Sequence, residues 1–433
     1  MIKAIRRQLG ATLGVLRGFS GNTRAVLVTE PVWSIPYNLV QTYASVYMLA
    51  LGCTTVQVGL IGSAALAFQL VFSLVGGWIT DRLGRRRTTL IFDTISWSGA
   101  MLLWAFARGF PWFLAAAMVN SLVRIVMTSW TCLAIEDAAV DQRVHFFTWI
   151  SVAGVLAGFV VPLSGALVGR FGLVPAMRGL YLFGFAAMTA MFFVRNGMLV
   201  ETRMGVERMR ESRAERPRHE LREHLRAASG ALRNPLFAVA AVVSILAAIM
   251  SIVRNTFQSI LLTRGLGFPE AAIAIFPLVN AAVTLVALVF LVPGLVRRGT
   301  AAALAVGFGS MAASAALLAA SPERSWPIAL MATALGGLGS AVAFPVTDSF
   351  LVNAVPDRGR AKVMAVFYVV MFAVSSPFGW VGGLLAAVSP RLPLALVAVV
   401  CVLGLGLSAL VPGAERRAAA GPRPDDRPAA PRF

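Results

Sequence analysis

The 433-residue sequence is short of charge and of cysteine. Charged residues make up 13% of the chain and hydrophobic residues 58%, whereas soluble globular proteins carry about 25% charged residues. This shortage excludes a surface covered by water on all sides and predicts that lipid surrounds much of the chain. The three cysteines, Cys53, Cys132 and Cys401, lack the spacing of a disulfide framework or a metal site.

The sequence also lacks the signals of common enzyme classes and of nucleic-acid binding. We find no Gly-rich phosphate loop, metal-ligand cluster or Ser/His/Asp arrangement, and therefore predict no enzymatic activity and no cofactor. The net charge of +19 comes from basic residues in short segments between apolar runs. Because a nucleic-acid binder concentrates such residues on one face, we predict no nucleic-acid partner.

Apolar runs long enough to cross a bilayer, about 20 residues each, occur twelve times. The predicted spans are 27–50, 56–79, 88–107, 111–133, 146–169, 175–197, 236–262, 270–295, 300–320, 327–350, 362–388 and 392–411. Of the 38 basic residues, 30 fall in segments on one side, 6 on the other, and Arg124 and Arg254 within spans. Because basic loops stay inside, we predict both termini in the cytoplasm.

The chain divides into two halves that repeat at an offset of 215 residues: Gly52 matches Gly267, Gly84 matches Gly299, and Pro162 matches Pro377. This predicts an all-α membrane protein of twelve transmembrane helices in two six-helix bundles, a plan that secondary transporters use. The predicted segments are an amphipathic arm (1–22), a first bundle (23–197), a polar linker with a surface helix (198–234), a second bundle (235–412) and a disordered tail (413–433).

A short motif lies between the second and third spans. Residues 77–87 read GWITDRLGRRR, and the motif resembles the G-x-x-x-D-R-x-G-R-R signature of the major facilitator superfamily. The resemblance implies a gate that locks the two halves in the outward-open state. The alternative is that the motif only orients the loop. The candidate gating residues are Gly77, Asp81, Arg82, Gly84, Arg85 and Arg86.

The residue types fit a gating role on physical grounds. A glycine at 77 would let two helices approach closely. The Asp81 carboxylate can pair with an arginine or with helix-terminal amides, and Gly84 permits a tight turn. Glu136 and Asp137 lie at the predicted cytoplasmic end of the fourth span, on the side of the motif. They are predicted to pair with the basic loops.

Two further features of the sequence are similar to features found in members of that family. Arg124 stands where many have a membrane-embedded arginine, and the fifth span carries Gly154, Gly158, Pro162, Gly165 and Gly169, similar to the glycine-proline helix of family exporters. The resemblance implies a proton-coupled exporter in the plasma (inner) membrane. The scarcity of lysine points to a bacterial source.

Charges inside the spans are candidates for coupling. Because a charge at the bilayer centre costs about 2.5–3.5 kcal/mol, we expect Glu30 or Asp93 to neutralise Arg124, with one carboxylate exchanging a proton. The alternative is a permanent ion pair that only holds helices together. Buried pairs add little stability, which favours coupling.

Polar side chains on otherwise apolar spans are candidates for substrate binding. They are Tyr37, Asn38, Gln41, Asn120, Arg254, Asn255, Gln258 and Asn280. Arg254 either contacts an anionic substrate or pairs within its own half. Trp33, Tyr37 and Trp97 are the aromatic residues that we expect near a cavity.

Three functions follow from these patterns. The first is proton-coupled export of small amphipathic molecules by alternating access. The second is an importer or uniporter of a polar or anionic metabolite, and the third is a membrane sensor that transports nothing. The partners expected are a small-molecule substrate, protons and the lipid bilayer, with the protein a monomer.

Overall fold

The computed structural model describes residues 19–138, 140–212, 234–355 and 360–419. Within them the chain forms helices and turns, and no strand occurs in this part of the chain. A helix pairs its own backbone groups, which is what a segment surrounded by lipid requires. Most of the predicted N-terminal arm, the second part of the linker and the end of the tail lie outside the described residues.

Six membrane helices make up the first half. They are α1 (Gly21–Gln41, continued by Ala44–Ala50), α2 (Thr55–Leu83), α3 (Arg85–Asp93, continued through a π-helical turn, Thr94–Gly99, to Ala100–Ala105), α4 (Phe110–Ile135), α5 (His145–Phe171) and α6 (Leu173–Met198). A short linker helix, Arg203–Glu211, follows α6.

Six further membrane helices make up the second half. They are α7 (Pro235–Gly265), α8 (Glu270–Arg297), α9 (Thr300–Ala320), α10 (Trp326–Asn353), α11 (Val363–Val388) and α12 (Leu392–Arg416). A last segment, Val411–Ala419, is helical and its Val411 is buried. The prediction of disorder was therefore wrong for residues 413–419.

Ten of the twelve helices in the described part of the chain are long and apolar enough to cross a membrane. The other two are α1 and α3. The first part of α1 carries Arg24, Glu30 and two prolines, and α3 begins with three arginines, so both are less apolar than the rest. Each of the twelve predicted spans coincides with one helix of the structure, and the all-helical membrane fold is confirmed.

The helix ends form two groups at opposite ends of the molecule. We call the end with residues 80–88, 136 and 195–212 the motif end, and the end with residues 50–55, 106–110, 171–173 and 264–270 the distal end. Short turns at glycines connect the helices at both. Gly52 and its repeat partner Gly267 have φ of 87° and 68°, and Gly84 and Gly299 have φ of 87° and 103°, values that glycine adopts without strain.

The repeated prolines also occupy equivalent places. Pro162 begins the distal segment of α5, Val161–Phe171, and Pro377 begins the distal segment of α11, Pro377–Val388. Proline is tolerated in a first helical turn because the N–H it lacks has no partner there. The two halves thus interrupt corresponding helices at equivalent places.

The halves touch each other toward the distal end. A Cβ placed on Gly59 of α2 would lie 2.3 Å from the carbonyl oxygen of Gly379 in α11, and one on Gly165 of α5 would lie 2.6 Å from that of Ala271 in α8. The Tyr43 hydroxyl donates to the Glu270 carbonyl at 3.0 Å. These contacts close the distal end.

Gly77 does not make the close helix contact that we predicted for it. A Cβ there would meet nothing within 4 Å, whereas one on the neighbouring Gly76 would lie 3.3 Å from Cα of Ile125 in α4. Adjacent helix positions differ by about 100° around the axis. The small residue that lets α2 approach α4 is therefore Gly76.

Candidate functional site

A cavity of about 520 Å³ lies between the two halves. Polar residues of α1 line it on one side and polar residues of α7 and α8 on the other. Seven of the eight predicted substrate-binding residues are among its lining: Tyr37, Asn38, Gln41, Arg254, Asn255, Gln258 and Asn280.

The two central helices present the same pattern to this cavity. The lining residues of α1 are 37, 38, 41 and 42. Those of α7 repeat this spacing at 254, 255, 258 and 259, with Ser251 one turn before them. This spacing places four side chains on one face of a helix. The Ser259 hydroxyl donates to the Thr42 carbonyl at 2.7 Å, so α1 and α7 meet where both faces end.

Among the described residues that line the cavity, Arg254 is the one with a charged side chain. Its Nε donates to Oε1 of Gln258 at 2.9 Å, and its Nη1 lies 3.2 Å from Sδ of Met311. None of the ion pairs found among the described residues includes Arg254. Both contacts are within its own half, as one predicted alternative has it, but neither partner is an acid, and contact with an anionic substrate stays a prediction.

Gly336 of α10 provides the space for this guanidinium. A Cβ at that position would lie 2.5 Å from Nη2 of Arg254. Any larger residue would push the arginine side chain out of its place. The position of the cation thus depends on a glycine of another helix.

Asn120, the eighth predicted substrate residue, lies outside the cavity lining. Its Nδ2 donates to the Ser96 carbonyl at 3.1 Å. Ser96 belongs to the π-helical turn of α3, where backbone carbonyls lack their usual α-helical partners. In this arrangement Asn120 links α4 to α3.

Arg124 does not pair with Glu30 or Asp93, so that part of the prediction was wrong. Its Nε donates to Oε1 of Gln69 in α2 at 3.1 Å. Its guanidinium carbon lies 4.2 Å from the ring centre of Phe372 in α11. Arg124 therefore joins the halves through a cation–π contact.

The cation beside the buried acids is Arg195 of α6. It forms an ion pair with Asp93 of α3, and both side chains are buried. Glu30 of α1 is also buried, accepts a 3.5 Å hydrogen bond from Ser34, and interacts electrostatically with Arg195 and Asp93. Arg195 lies within the predicted sixth span, 175–197, but we counted it with the basic residues of the cytoplasmic side and not among those inside the membrane.

The motif residues form a charged cluster at their end of the molecule. Arg85 is buried, and its Nη2 lies 3.3 Å from Oε1 of Glu136 at the end of α4. Its Nη1 lies 2.9 Å from Oδ1 of Asp81, an ion-pair contact without hydrogen-bond alignment. The predicted pairing of Glu136 with a basic loop is confirmed.

Glu201 of the linker completes this cluster and was missed by the sequence reasoning. Its two carboxylate oxygens accept hydrogen bonds from the backbone N–H groups of Arg85 and Arg86, each at 3.0 Å. A carboxylate at a helix N-terminus is favourable because the first N–H groups have no partner within the helix. A Cβ on Gly84 would lie 2.7 Å from Glu201, so the turn must stay free of a side chain.

The remaining motif residues have separate contacts. The side-chain Nε of Arg86 donates to the Asn196 carbonyl at 3.1 Å. Arg82 is exposed and lies over the Trp78 ring at 5.4 Å. The contacts found here for the motif residues are within the first half and the linker, and their gating role stays a prediction.

The three predicted cavity aromatics form one cluster. Trp33 stacks on Tyr37 at 5.0 Å, and Trp97 meets Trp33 edge-on at 5.0 Å. Of the three, Tyr37 lines the cavity, and the two tryptophans pack against the Tyr37 ring. Among the described residues, no group of three His, Cys, Asp or Glu side chains is placed to hold a metal ion.

Comparison with known proteins agrees with this architecture. The family model of the Major Facilitator Superfamily matches residues 34–324. The chain belongs to this superfamily. It is accordingly a multi-pass membrane transporter of the major facilitator type, with a transport role and not an enzymatic one.

Solved transporter structures share the fold of this major facilitator protein. The nucleoside transporter NupG is 15% identical, with 92% of this chain and 100% of that chain covered and a TM-score of 0.67. A POT family transporter in complex with 5-aminolevulinic acid is 12% identical, with coverage of 90% and 96% and a TM-score of 0.67. The human organic anion transporter MFSD10 is 16% identical, with coverage of 89% and 99% and a TM-score of 0.58. At such identities the likeness shows the fold alone.

A relative by sequence is facilitated glucose transporter member 10 of solute carrier family 2 from Danio rerio. It is 25% identical over 142 residues, which are 33% of this chain and 27% of that protein. The chain thus matches about a quarter of the length of this relative.

Proposed function

We propose that this transporter carries a small polar anion between the two sides of the membrane by alternating access, with Arg254 as the anion-binding residue. The observation that supports this is a guanidinium without a carboxylate partner among the described residues, at the wall of a cavity between the halves. A membrane-embedded charge without a partner is expensive and is typical of a binding site.

The neighbours of Arg254 favour a polar ligand. Asn255, Gln258 and Asn280 stand beside it, and Asn38 and Gln41 line the wall contributed by α1. Amide side chains both donate and accept hydrogen bonds, so they can hold the hydroxyl or amide groups of a metabolite. A cavity of about 520 Å³ falls in the range of small-molecule sites.

The position of the cavity supports alternating access. The halves are in contact toward the distal end through Gly59, Gly165 and Tyr43, so ligand would enter from the motif end in this conformation. We propose that the motif end is cytoplasmic, because it carries most of the basic residues. The conformation is then inward-facing.

A ligand panel tests the anion assignment. We would measure thermal shifts of purified protein with benzoate, succinate, glucuronate and inorganic phosphate, against the neutral compounds benzamide and glucose. We expect at least one anion to stabilise the protein, Arg254→Ala to weaken its binding at least tenfold, and Arg254→Lys to retain part of it. The matched control is Arg264→Ala, which removes a positive charge from the distal end of the same helix.

Two results would contradict the proposal. One is an anion that binds equally to wild-type protein and to Arg254→Ala. The other is stabilisation by benzamide or glucose and by no anion of the panel.

A second candidate function is proton-coupled export of small amphipathic molecules. It is favoured by a second cavity, of about 650 Å³, that lies between α1 and α5 and is lined mainly by apolar residues, with Trp149 in its wall and Arg24 at its rim. Efflux of rhodamine 6G from vesicles with an imposed pH gradient tests it. Export that Trp149→Ala reduces and Arg254→Ala leaves intact would favour this function over anion transport.

A further inference from the structure

Three buried charged side chains from three helices lie together in the first half: Glu30 of α1, Asp93 of α3 and Arg195 of α6. The group holds two carboxylates and one guanidinium. With both acids ionised it carries a net charge of −1, which is unfavourable away from water. One bound proton makes the group neutral.

The two acids differ in their contacts. Asp93 forms a direct ion pair with Arg195. The hydrogen bond found for the Glu30 side chain is a long one, 3.5 Å from the Ser34 hydroxyl. Since the guanidinium is already paired with Asp93, Glu30 is the acid without a direct cationic partner in this conformation.

The other helices packed against α1 do not supply a second cation. In α4, Arg124 contacts Gln69 and Phe372, and Glu136 at its end faces Arg85. In α5, His145 is exposed. Among the described residues, the charged groups that act on Glu30 are thus Arg195 and Asp93.

We propose that Glu30 is the residue that binds and releases the coupling proton, and that Asp93 and Arg195 form a fixed pair that positions it. A proton from water adds to the Glu30 carboxylate and makes the cluster neutral. When the proton returns to water, the Glu30 carboxylate competes with Asp93 for the guanidinium. Arg195 is thus a positioning residue, and the changed attraction pulls on α1.

Helix α1 connects this cluster to the cavity. Ser34 contacts Glu30, and the Asn38 side chain donates to the Ser34 carbonyl at 2.8 Å. Asn38 in turn lines the cavity, about 12 Å along the helix from Glu30 at 1.5 Å per residue.

The same stretch of α1 contains the prolines 31 and 36. Each removes a backbone hydrogen bond and makes a helix easier to bend. Charge changes at Glu30 can therefore alter the angle at which Asn38 meets a ligand. This link to the cavity rests on the proposed transport function, whereas proton binding at Glu30 does not.

Infrared difference spectroscopy of purified protein tests the assignment without a substrate. Spectra recorded between alkaline and acidic pH should show the C=O band of a buried protonated carboxyl group. We expect Glu30→Gln to remove this band. Asp93→Asn should move its appearance to more acidic pH, because Arg195 is then free to pair with the Glu30 carboxylate. Glu323→Gln, which alters an exposed glutamate at the distal end, should leave the band unchanged.

Two further variants keep the test decisive if Glu30→Gln does not fold. Ser34→Ala should shift the band to higher frequency, because the carboxyl group loses its hydrogen-bond donor. Arg195→Gln should increase the band intensity up to about twofold, since two acids then lie together without a cation, and Arg195→Lys should restore the wild-type spectrum.

The assignment is overturned if the band survives Glu30→Gln, appears in Asp93→Asn at the same pH as in wild-type protein, is unchanged by Ser34→Ala, or is absent from wild-type protein at every pH. Anion binding through Arg254 is measured separately. Its failure would end the proposed function and leave the proton site standing.

Discussion

The two ends of the molecule are held together by different kinds of contact. At the distal end, small residues bring the backbones of opposite halves together, as at Gly59 and Gly379. At the motif end, Arg85, Glu136 and Glu201 connect helices of the first half with one another and with the linker. The ion pairs thus connect parts of one half, and packing of small residues joins the two halves.

This difference suits a protein whose halves must separate and rejoin. Parting two buried charges leaves each of them unpaired and costs several kcal/mol. Parting two glycine-rich helix faces loses only dispersion contacts, each worth about 0.1–0.2 kcal/mol. In the alternating access that we propose, the small-residue contacts can therefore part and rejoin readily, while the charged cluster moves with its half.

The largest effect is expected from blocking the distal contact. A side chain at Gly59 would collide with α11, so Gly59→Val should hold the distal end open. In a variant whose three cysteines are replaced by serine, Thr42→Cys places a thiol at the cavity wall. We expect a membrane-impermeant maleimide added from the distal side to label it at least tenfold faster in Gly59→Val.

The control for this experiment lies on the same helix. A Cβ at Gly77 meets nothing within 4 Å, so Gly77→Val should leave the labelling rate unchanged. Equal labelling in both variants would mean that the Gly59 contact does not close the gate.

The next effect is on stability at the motif end. Arg85→Gln removes the cation between two acids and leaves Glu136 buried without an ionic partner. We expect a loss of about 3 kcal/mol, measured by thermal unfolding in detergent. Arg208→Gln is the matched control, because its ion pair with Glu211 is exposed at 54% and 60% and should contribute less than about 1 kcal/mol.

A similar loss in both arginine variants would show that burial does not distinguish the two ion pairs. The motif end would then lack the rigid charged cluster on which the comparison depends.

A smaller effect is expected midway between the two ends, where Arg124 and Phe372 join the halves. Phe372→Leu keeps an apolar side chain but removes the aromatic face, and should cost about 1 kcal/mol. A double-mutant cycle with Arg124→Gln measures the coupling. The control is Phe171→Leu with Arg170→Gln, a cation–π pair of adjacent exposed residues, and a coupling no larger than in that pair would argue against a contact between halves.

The smallest effect concerns the thiol next to the distal turn. Burial raises the pKa of Cys53 to about 11, so its reactive thiolate is scarce at neutral pH. We expect Cys53, as the sole cysteine, to react with maleimide far more slowly than the thiol that Thr42→Cys introduces in the open variant Gly59→Val. Fast labelling of Cys53 without the Gly59 substitution would mean that the distal turn opens on its own.

Much of this molecule could be predicted from its sequence. The apolar runs of the sequence coincide with twelve helices, and ten of these in the described part of the chain are long and apolar enough to cross a membrane. Polar residues that interrupt those apolar runs, such as Gln41 and Arg254, proved to share one cavity. The turn at Gly84 was predicted from the motif, and it has the positive φ that a glycine there supplies.

The partners of the buried charges were beyond the same reasoning. A sequence indicates how deep in the membrane a residue lies and on which face of its own helix it stands. It does not indicate which neighbouring helix that face contacts. Arg124 and Asp93 lie at plausible depths for a pair, yet α4 turns its arginine toward α2 and α11 while α6 brings Arg195 to Asp93. Glu201 was missed because a single acid in a charged linker carries no signal of its own.

The space that Gly336 leaves for the Arg254 guanidinium has one more consequence. The place of the Arg254 guanidinium depends on a hydrogen atom on α10, since a methyl group at position 336 would lie 2.5 Å from its Nη2. Alanine at 336 would make the end of this flexible side chain shift without replacing any residue that lines the cavity. A single codon at a position behind the cavity wall could thereby change where its positive charge stands, on a helix whose Ser340 and Phe344 belong to that wall.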